Sequence, residues 1–212
     1  MSKTIGILGC GWLGFPLAQR LVNRGFTVKG TTTSPSKIQH LQDEGIQPFL
    51  VGLSENGIQG PIGEFLTGVD TLIINVPPKL RGNATENYVD KMKHLLEAIG
   101  KSTVSQVLFI SSTAVYGDAE GEITEDTPLA PVTESGKQLV ACENLFRNQK
   151  GFTASIIRFG GLIGPDRHPV TTLSGREGLS NGHHPINLIH LEDCIHMILI
   201  ILDNSYWDET FN

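Results

Sequence analysis

The sequence predicts an α/β fold with a doubly wound parallel sheet and a smaller C-terminal lobe. Short runs rich in apolar and β-branched residues alternate along the chain with longer segments whose apolar residues recur at helical spacing. The strand-like runs are apolar almost throughout, which is typical of parallel strands covered on both faces. Because crossovers between parallel strands are right-handed, we expect helices on both sides of a single sheet.

The N-terminal third of the chain sets this pattern. A strand-like run at Thr4–Leu8 precedes a helical pattern over Leu13–Asn23, whose leucines share one face. Ser34 and Pro35 suit the N-cap and first position of a second helix, which we expect to reach about Asp43. The other strands expected here are Thr27–Thr31, Gln47–Val51 and, after a Gly/Pro-rich connector, Thr71–Val76.

The rest of the chain continues the alternation. Pro77 and Pro78 end the fourth strand, because proline has no N–H to donate to a strand ladder. Apolar residues at helical spacing, and β-rich runs between them, predict the remaining elements. The expected strands are Gln106–Ser111, Thr153–Phe159 and a short one at Pro185–Ile189, and the expected helices are Asn87–Ile99, Glu134–Asn148 and Glu192–Leu202.

Length and composition bound the class of protein. The 212 residues suffice for one domain and a small lobe, which we place at 1–160 and 161–212 as one compact unit. A hydrophobic content of 39% supplies a core, and no apolar run is long enough to cross a membrane. The formal net charge of −6, without a Lys/Arg stripe, argues against nucleic-acid binding.

Cysteine and histidine usage point to a metal-free protein of the cytoplasm. The 3 cysteines are too scattered for a disulfide framework, and the N-terminus lacks a signal-peptide pattern. No histidine spacing typical of zinc is present, so no metal is predicted. The histidines of the expected lobe, which could cover a substrate, are His168, His183, His184 and His190.

A G-x-G-x-x-G string at residues 9–14 lies between the first strand and the first helix. In that position the glycines allow a tight turn, close approach of a pyrophosphate to the backbone, and close helix–strand packing. The N-terminus of the helix then offers free N–H groups to the phosphates. We therefore predict a dinucleotide site in a Rossmann fold, with contacts from Gly9, Gly11, Trp12, Leu13 and Gly14.

The end of the second strand bears on the choice of dinucleotide. A carboxylate about 20 residues after the glycines would bind the ribose 2′-hydroxyl of NAD. Here the next acid is Asp43, and hydroxyl residues with one lysine could hold a 2′-phosphate instead. We favour NADP over NAD, while ordinary strand-end threonines would leave the choice open. The residues concerned are Thr31, Thr32, Thr33, Ser34 and Lys37.

Three further segments carry a family resemblance. These are S-S-T-A-V-Y-G at 111–117, R-F-G-G-L-I-G-P at 158–165 and N-L-I-H-L-E-D at 187–193. With the glycine turn, they resemble the extended short-chain dehydrogenase/reductase family, which includes NAD(P)-dependent sugar-nucleotide epimerases and dehydratases. The resemblance covers essentially the whole chain. It implies an epimerase/dehydratase-like oxidoreductase acting on a small polar or carbohydrate-like substrate.

The resemblance implies a Ser/Thr, a Tyr and a Lys acting together on substrate and cofactor. Matched to the motifs, the Ser/Thr is Ser112 and the lysine of Y-x-x-x-K is Lys137. Thr133 stands where the tyrosine is expected, so the chain is similar to an atypical member. An aliphatic hydroxyl titrates far above a phenol and cannot readily replace it in proton transfer. Tyr116 is the nearest spare phenol in sequence and is our third catalytic candidate.

The resemblance also implies residues that line the cofactor and a mode of assembly. Gly161 stands where the family has an asparagine that touches the substrate. Family members often form homodimers through the helices expected at Asn87–Ile99 and Glu134–Asn148, and we expect the same here. The strand-end residues expected along the cofactor are Asn75, Val76, Pro77, Ser111 and Phe159.

Two functions from different classes follow. The first is an NADP(H)-dependent oxidoreductase in which Ser112 orients the substrate oxygen and Lys137 holds the nicotinamide ribose. The proton would come from water, Tyr116 or a histidine of the lobe. The second is a non-catalytic module that senses NADP(H), favoured by the missing phenol and by a lobe shorter than in extended members, whether reduced or truncated. A fold hosts many functions, so the site decides between them.

Overall fold

The computed structural model describes residues 3–78, 86–178, 182–183 and 185–212. The strands in these residues are β1 (Thr4–Leu8), β2 (Thr27–Thr32), β3 (Gln47–Leu50), β4 (Gly52–Ser54), β5 (Gly57–Gln59), β6 (Thr71–Ile74), β7 (Gln106–Ser112), β8 (Thr153–Phe159), β9 (Gly161–Ile163), β10 (Leu188–His190) and β11 (Thr210–Phe211). The α-helices are α1 (Gly14–Asn23), α2 (Ile38–Asp43), α3 (Ile62–Leu66), α4 (Tyr88–Ile99), α5 (Glu134–Arg147), α6 (Val170–Leu173) and α7 (Leu191–Asn204). Short 3₁₀ helices occupy Pro35–Lys37 and Thr113–Tyr116.

The main sheet has seven strands in the order β11-β8-β7-β6-β1-β2-β3. Each neighbouring pair is parallel, and Ile5 of β1 aligns with Val28 of β2 on one side and Thr71 of β6 on the other. The chain builds outward from β1 to β3 and then crosses back to β6 on the opposite side of β1. The direction of winding therefore reverses between β1 and β6. This arrangement confirms the predicted doubly wound parallel sheet, and ligands bind at such switch points.

Two hydrophobic cores cover the two faces of the sheet. Leu72 and Ile74 of β6 belong to the core beneath α3, α4 and α5. Ile73, between them, points into the core beneath α1, α2 and α7. This alternation follows from the two-residue period of a strand. Since both faces are covered, the strands need apolar residues on each side, which explains the continuous apolar runs in the sequence.

Two local features differ in detail from what the sequence indicated. The connector before β6 is ordered as the hairpin β4–β5 followed by α3, because Ser54 pairs with Gly57 across a two-residue turn and Gly57 adopts a φ of 138°. The dipeptide Asn56-Gly57 is a common turn signal that could have indicated the hairpin. Ser34 and Pro35 take the predicted N-cap and first positions, but of a 3₁₀ turn that leads into α2, and the Ser34 hydroxyl makes no capping bond and lies 2.9 Å from the hydroxyl of Ser36.

The C-terminal residues contribute to the main sheet as well as to the lobe. Cys194, Ile195 and Ile198 of α7 are buried in the same core as α1. β11 extends the sheet beside β8, with Phe211 aligned to Ile157. The division into a binding domain and a substrate lobe stays a prediction. Among the described residues, no helix has the length and apolar character needed to span a bilayer.

Candidate functional site

The glycine turn after β1 is held by side chains from both neighbouring strands. The N–H of Gly9 donates to the Thr31 hydroxyl at 2.9 Å, and the Asn75 amide donates to the Gly9 carbonyl at 3.2 Å. Gly9 has a φ of 105°, a region that favours glycine. Gly14 lies so close that a Cβ there would be 2.2 Å from the Gly9 oxygen. The turn is therefore fixed in shape by β2, β6 and α1 together.

The outer face of the turn is open. A Cβ at Gly11 would meet no atom of the described residues within 4 Å. We find no acceptor, among those residues, for the backbone N–H groups of Trp12, Leu13 and Gly14. The first turn of α1 contains no acidic side chain. Unpaired N–H groups at the start of a helix, next to a glycine that leaves room, fit the diphosphate of a dinucleotide.

A groove of about 410 Å³ borders the turn on the side of α2. Lys37 and His40 line it, and the His40 ring packs on Phe15 with 4.7 Å between ring centroids. His40 was not predicted as a site residue, and its only signal in the sequence is its position three residues after Lys37. Cys10 also lines the groove, but burial raises the pKa of its thiol to about 12. The thiol is therefore protonated at neutral pH and is a packing group rather than a nucleophile.

The predicted selector residues divide into buried and exposed sets. Thr31 and Thr32 are buried, and their hydroxyls accept the N–H groups of Gly9 and Ser34. They support the backbone, so their side chains are not free for a ribose. Thr33 and Lys37 are exposed and Ser34 is half-buried. The structure thus leaves three of the five selectors available to a ligand.

The strand-end residues of β6 also serve the turn. Asn75 binds Gly9, as described above, and the Val76 carbonyl accepts the Tyr88 hydroxyl at 2.5 Å. Pro77, which follows, is exposed. Asn75 therefore supports the backbone of the glycine turn. Pro77, which was predicted to lie along the cofactor, is the exposed residue of this group.

A second group of candidates lies at the end of β7. Ser112 caps the 3₁₀ turn at 113–116, with its hydroxyl accepting the Ala114 N–H at 3.2 Å. The start of α5 packs directly on this turn, since a Cβ at Gly136 would lie 2.6 Å from the Ala114 oxygen. Lys137 follows Gly136 and is exposed. The structure therefore brings the segments that carry Ser112 and Lys137 together.

Thr133 has a structural role at the position expected for the tyrosine. It is the N-cap of α5, and its hydroxyl accepts the Gly136 N–H at 3.1 Å. Threonine is a favoured N-cap residue. The hydroxyl that replaces the phenol thus stabilises the helix that presents Lys137.

Tyr116 and Ser111 belong to a buried polar network. The Tyr116 hydroxyl accepts from Arg158 at 2.5 Å and donates to Asn212 at 2.8 Å. Arg158 pairs with Glu143 at 2.7 Å, and the Ser111 hydroxyl donates to Glu143 at 2.6 Å. Tyr116 is 3% exposed. This geometry does not support the prediction that Tyr116 exchanges a proton with a substrate, and the buried Ser111 hydroxyl is already bonded to Glu143.

The positive charge of Arg158 is stable in the folded protein. Burial alone would lower the pKa of Arg158. The hydrogen bonds from Arg158 to Glu143 and Tyr116, together with the negative charge of Glu143, outweigh burial and raise this pKa. The guanidinium therefore stays protonated. Removing either partner would leave an uncompensated buried charge.

The end of β8 differs from expectation at Phe159 and Gly161. The Phe159 ring lies in the core beneath α7, so its side chain does not face a ligand. An amide does reach this place, from Asn187, the residue before β10. The Asn187 carbonyl accepts the Gly161 N–H at 2.9 Å, and its side chain donates to the Thr113 hydroxyl at 3.1 Å. A Cβ at Gly160 would lie 2.4 Å from the Asn187 side-chain oxygen, so the glycine makes this approach possible.

The histidines of the lobe bond to nearby backbone. His190 is the N-cap of α7, where its ring accepts the Glu192 N–H at 3.3 Å, and the His168 ring accepts the Val170 N–H at 3.2 Å. His183 is exposed, and His184 lies outside the described residues. Within the described ranges, no group of three or more His, Cys, Asp or Glu side chains could hold a metal ion.

Comparisons with known proteins agree with this geometry. A family model described as the NAD dependent epimerase/dehydratase family matches residues 5–212. Protein YeeZ of Escherichia coli (strain K12) is 35% identical over 211 residues, which cover 99% of this chain and 77% of YeeZ.

Solved structures share the fold. A UDP-glucuronic acid 4-epimerase from Bacillus cereus, in complex with UDP-glucuronic acid and NAD, has a TM-score of 0.80 at 20% identity and covers 98% of this chain and 76% of its own. A short-chain dehydrogenase/reductase superfamily protein from Agrobacterium tumefaciens with bound NAD has a TM-score of 0.77 at 21% identity, with coverages of 99% and 77%.

Proposed function

The chain belongs to the NAD dependent epimerase/dehydratase family, and on that premise we propose that it is an NADP(H)-dependent oxidoreductase acting on a small polar, carbohydrate-like substrate. The open face at Gly11, with its unpaired backbone N–H groups, is the observation that carries the proposal. That face fits the diphosphate shared by NAD and NADP. The nicotinamide cofactor would supply the hydride donor or acceptor.

The groups around the groove support NADP over NAD. No carboxylate follows β2 before Asp43, so a ribose 2′-hydroxyl lacks its usual acceptor. Thr33, Ser34 and Lys37 are available instead, and Lys37 lines the groove. A cation and hydroxyls suit a 2′-phosphate, which accepts hydrogen bonds and carries negative charge.

The substrate end supports an oxygen-containing ligand. The Thr113 hydroxyl contacts the Asn187 amide, Ser112 precedes Thr113, and Lys137 lies on the adjoining helix. In the proposal, Ser112 orients the substrate oxygen and Lys137 holds the ribose. The proton comes from water or a lobe histidine, since the Tyr116 phenol is enclosed. The Bacillus cereus relative binds UDP-glucuronic acid, which supports a carbohydrate-like substrate for this chain.

Calorimetry with NADPH and NADH tests the cofactor proposal. We expect NADPH to bind at least about tenfold more tightly than NADH, and Lys37→Gln to reduce that ratio while leaving NADH binding unchanged. Lys3→Gln, the same substitution at an exposed lysine before β1, is the control. Failure of both nucleotides to bind would refute the proposal, and tighter binding of NADH would refute the preference.

A non-catalytic NADP(H) sensor is the second candidate. Thr133 as a helix cap and Tyr116 in a buried network favour it, because neither offers a free phenol. Hydride exchange with labelled NADPH, across aldehydes, ketones and sugar nucleotides, separates the two candidates. Exchange with any substrate supports the oxidoreductase, and tight cofactor binding without exchange supports the sensor.

Homodimer formation through α4 and α5 is part of the proposal. The two helices pack side by side, as contacts between them indicate. Light scattering on the purified protein distinguishes a dimer from a monomer. A monomer at micromolar concentration would contradict this part alone.

A further inference from the structure

Arg167 stacks on the side chain of Trp12 in the glycine turn, although the two residues are 155 positions apart in sequence. Its guanidinium carbon is 4.7 Å from the centroid of the Trp12 ring. The Trp12 indole N–H donates to the Pro165 carbonyl at 2.8 Å. A Cβ at Gly164 would lie 3.0 Å from the same ring. The segment from Gly164 to Arg167 is therefore seated on the indole of the turn.

The Arg167 guanidinium has donors to spare. Among the described residues, no carboxylate forms an ion pair with it and no acceptor takes a hydrogen bond from it. A guanidinium stacked on an indole keeps its edge free, and that edge carries five N–H donors in a fixed plane. Stacking also restricts the side chain, so less conformational freedom is lost when an anion binds.

The turn itself supplies no side-chain charge. Residues 9–16 contain no Lys, Arg, Asp or Glu, so these residues contribute positive potential only through their backbone N–H groups. Lys37 lines the groove on the side of α2. Arg167 is stacked on Trp12, which lies between Gly11 and Leu13 of the open face.

We propose that Arg167 is a diphosphate-binding residue of the cofactor site, held in place by Trp12. The inference rests on the proposed function and deepens it, because it names the cation that faces the diphosphate. It also explains why a tryptophan within the glycine turn contacts a segment so distant in sequence. Arg167 would bind the part common to NAD and NADP, whereas Lys37 would distinguish them.

Calorimetric titration with ADP-ribose, adenosine and UDP tests this assignment. We expect Arg167→Gln to weaken ADP-ribose binding by about tenfold, and Arg167→Lys to weaken it less, because lysine keeps the charge but not the planar fork. Adenosine, which lacks the diphosphate, should bind equally to all variants. The loss should shrink at high salt, since exposed charges are screened. Arg176→Gln, the same substitution at an exposed arginine beyond α6, is the matched control.

Three other outcomes would overturn the assignment of Arg167, each for a different reason. Equal ADP-ribose binding by wild type and Arg167→Gln would show that Arg167 does not touch the diphosphate. Weaker UDP binding with unchanged ADP-ribose binding would assign Arg167 to a substrate nucleotide instead. A wild-type protein that binds neither ADP-ribose nor NADPH would refute the proposed function itself.

A second variant tests the role of Trp12. Trp12→Phe keeps an aromatic ring but loses the indole N–H that bonds to Pro165. It should weaken ADP-ribose binding, as Arg167→Gln does.

Discussion

The two halves of the candidate site differ in what their residues do. At the glycine turn, supporting side chains such as Thr31 and Asn75 hold the backbone so that one face stays open. At the end of β7, the side chains expected to do chemistry are themselves used for support, because Thr133 caps α5 and Tyr116 binds Arg158. The binding half is built as in a dinucleotide site, whereas the reacting half lacks a free phenol. Cofactor binding is thus better supported than any particular reaction.

The largest expected effect tests whether the network beneath the reacting half is structural. Glu143→Ala should lower the free energy of unfolding by about 3–5 kcal/mol, because it leaves the Arg158 charge buried without a partner. Urea unfolding at pH 7 measures this loss. Glu120→Ala, at an exposed loop position away from α4 and α5, should change it by less than about 0.5 kcal/mol. A loss below about 1 kcal/mol for Glu143→Ala would mean that the network is dispensable and free for another role.

A pair of glycine substitutions tests the separation of support from binding within the turn. Gly14→Ala should cost about 1–3 kcal/mol of stability, because its Cβ would overlap the Gly9 oxygen. Gly11→Ala should leave stability within about 1 kcal/mol, since nothing lies within 4 Å, yet weaken NADPH binding at least about tenfold. Urea unfolding and calorimetry together report both effects. Similar NADPH binding by Gly11→Ala and wild type would contradict the assignment of the open face.

The smallest expected effect sharpens the comparison at the reacting half. Thr133→Tyr removes the cap of α5 and should cost about 1 kcal/mol of stability. It should also raise hydride transfer from labelled NADPH about tenfold, because a phenol exchanges protons more readily than an aliphatic hydroxyl. Thr133→Val is the control, since it loses the cap without adding a phenol. Equal rates for the tyrosine and valine variants would mean that the site does not align a phenol with the substrate.

Sequence patterns predicted the frame of the molecule well. Strand and helix periodicity predicted the parallel sheet, because strands covered on both faces must be apolar on both faces. The resemblance to the extended short-chain dehydrogenase/reductase family is also confirmed. The hairpin β4–β5 escaped prediction because three-residue strands are too short to show a period. At the predicted ligand contacts, residue type alone could not separate Thr31, which is buried, from Thr33, which is exposed.

Long-range contacts account for what the sequence could not predict. Tyr116 meets Arg158 and Asn212, and Trp12 meets Arg167, only after the sheet has assembled. The spacing of residues within one strand or helix cannot predict such a contact, because the order of the strands in the sheet brings the two partners together. Asn187 likewise reaches the Thr113 hydroxyl through the pairing of β10 with β9.

The bonds that Thr31 and Asn75 make to Gly9 also have a kinetic consequence. A loop that must first become ordered slows encounter with its ligand, whereas a loop already in its final shape leaves only diffusion and steering to set the association rate. Differences in affinity between nucleotides should then arise from their dissociation rates and not from their association rates.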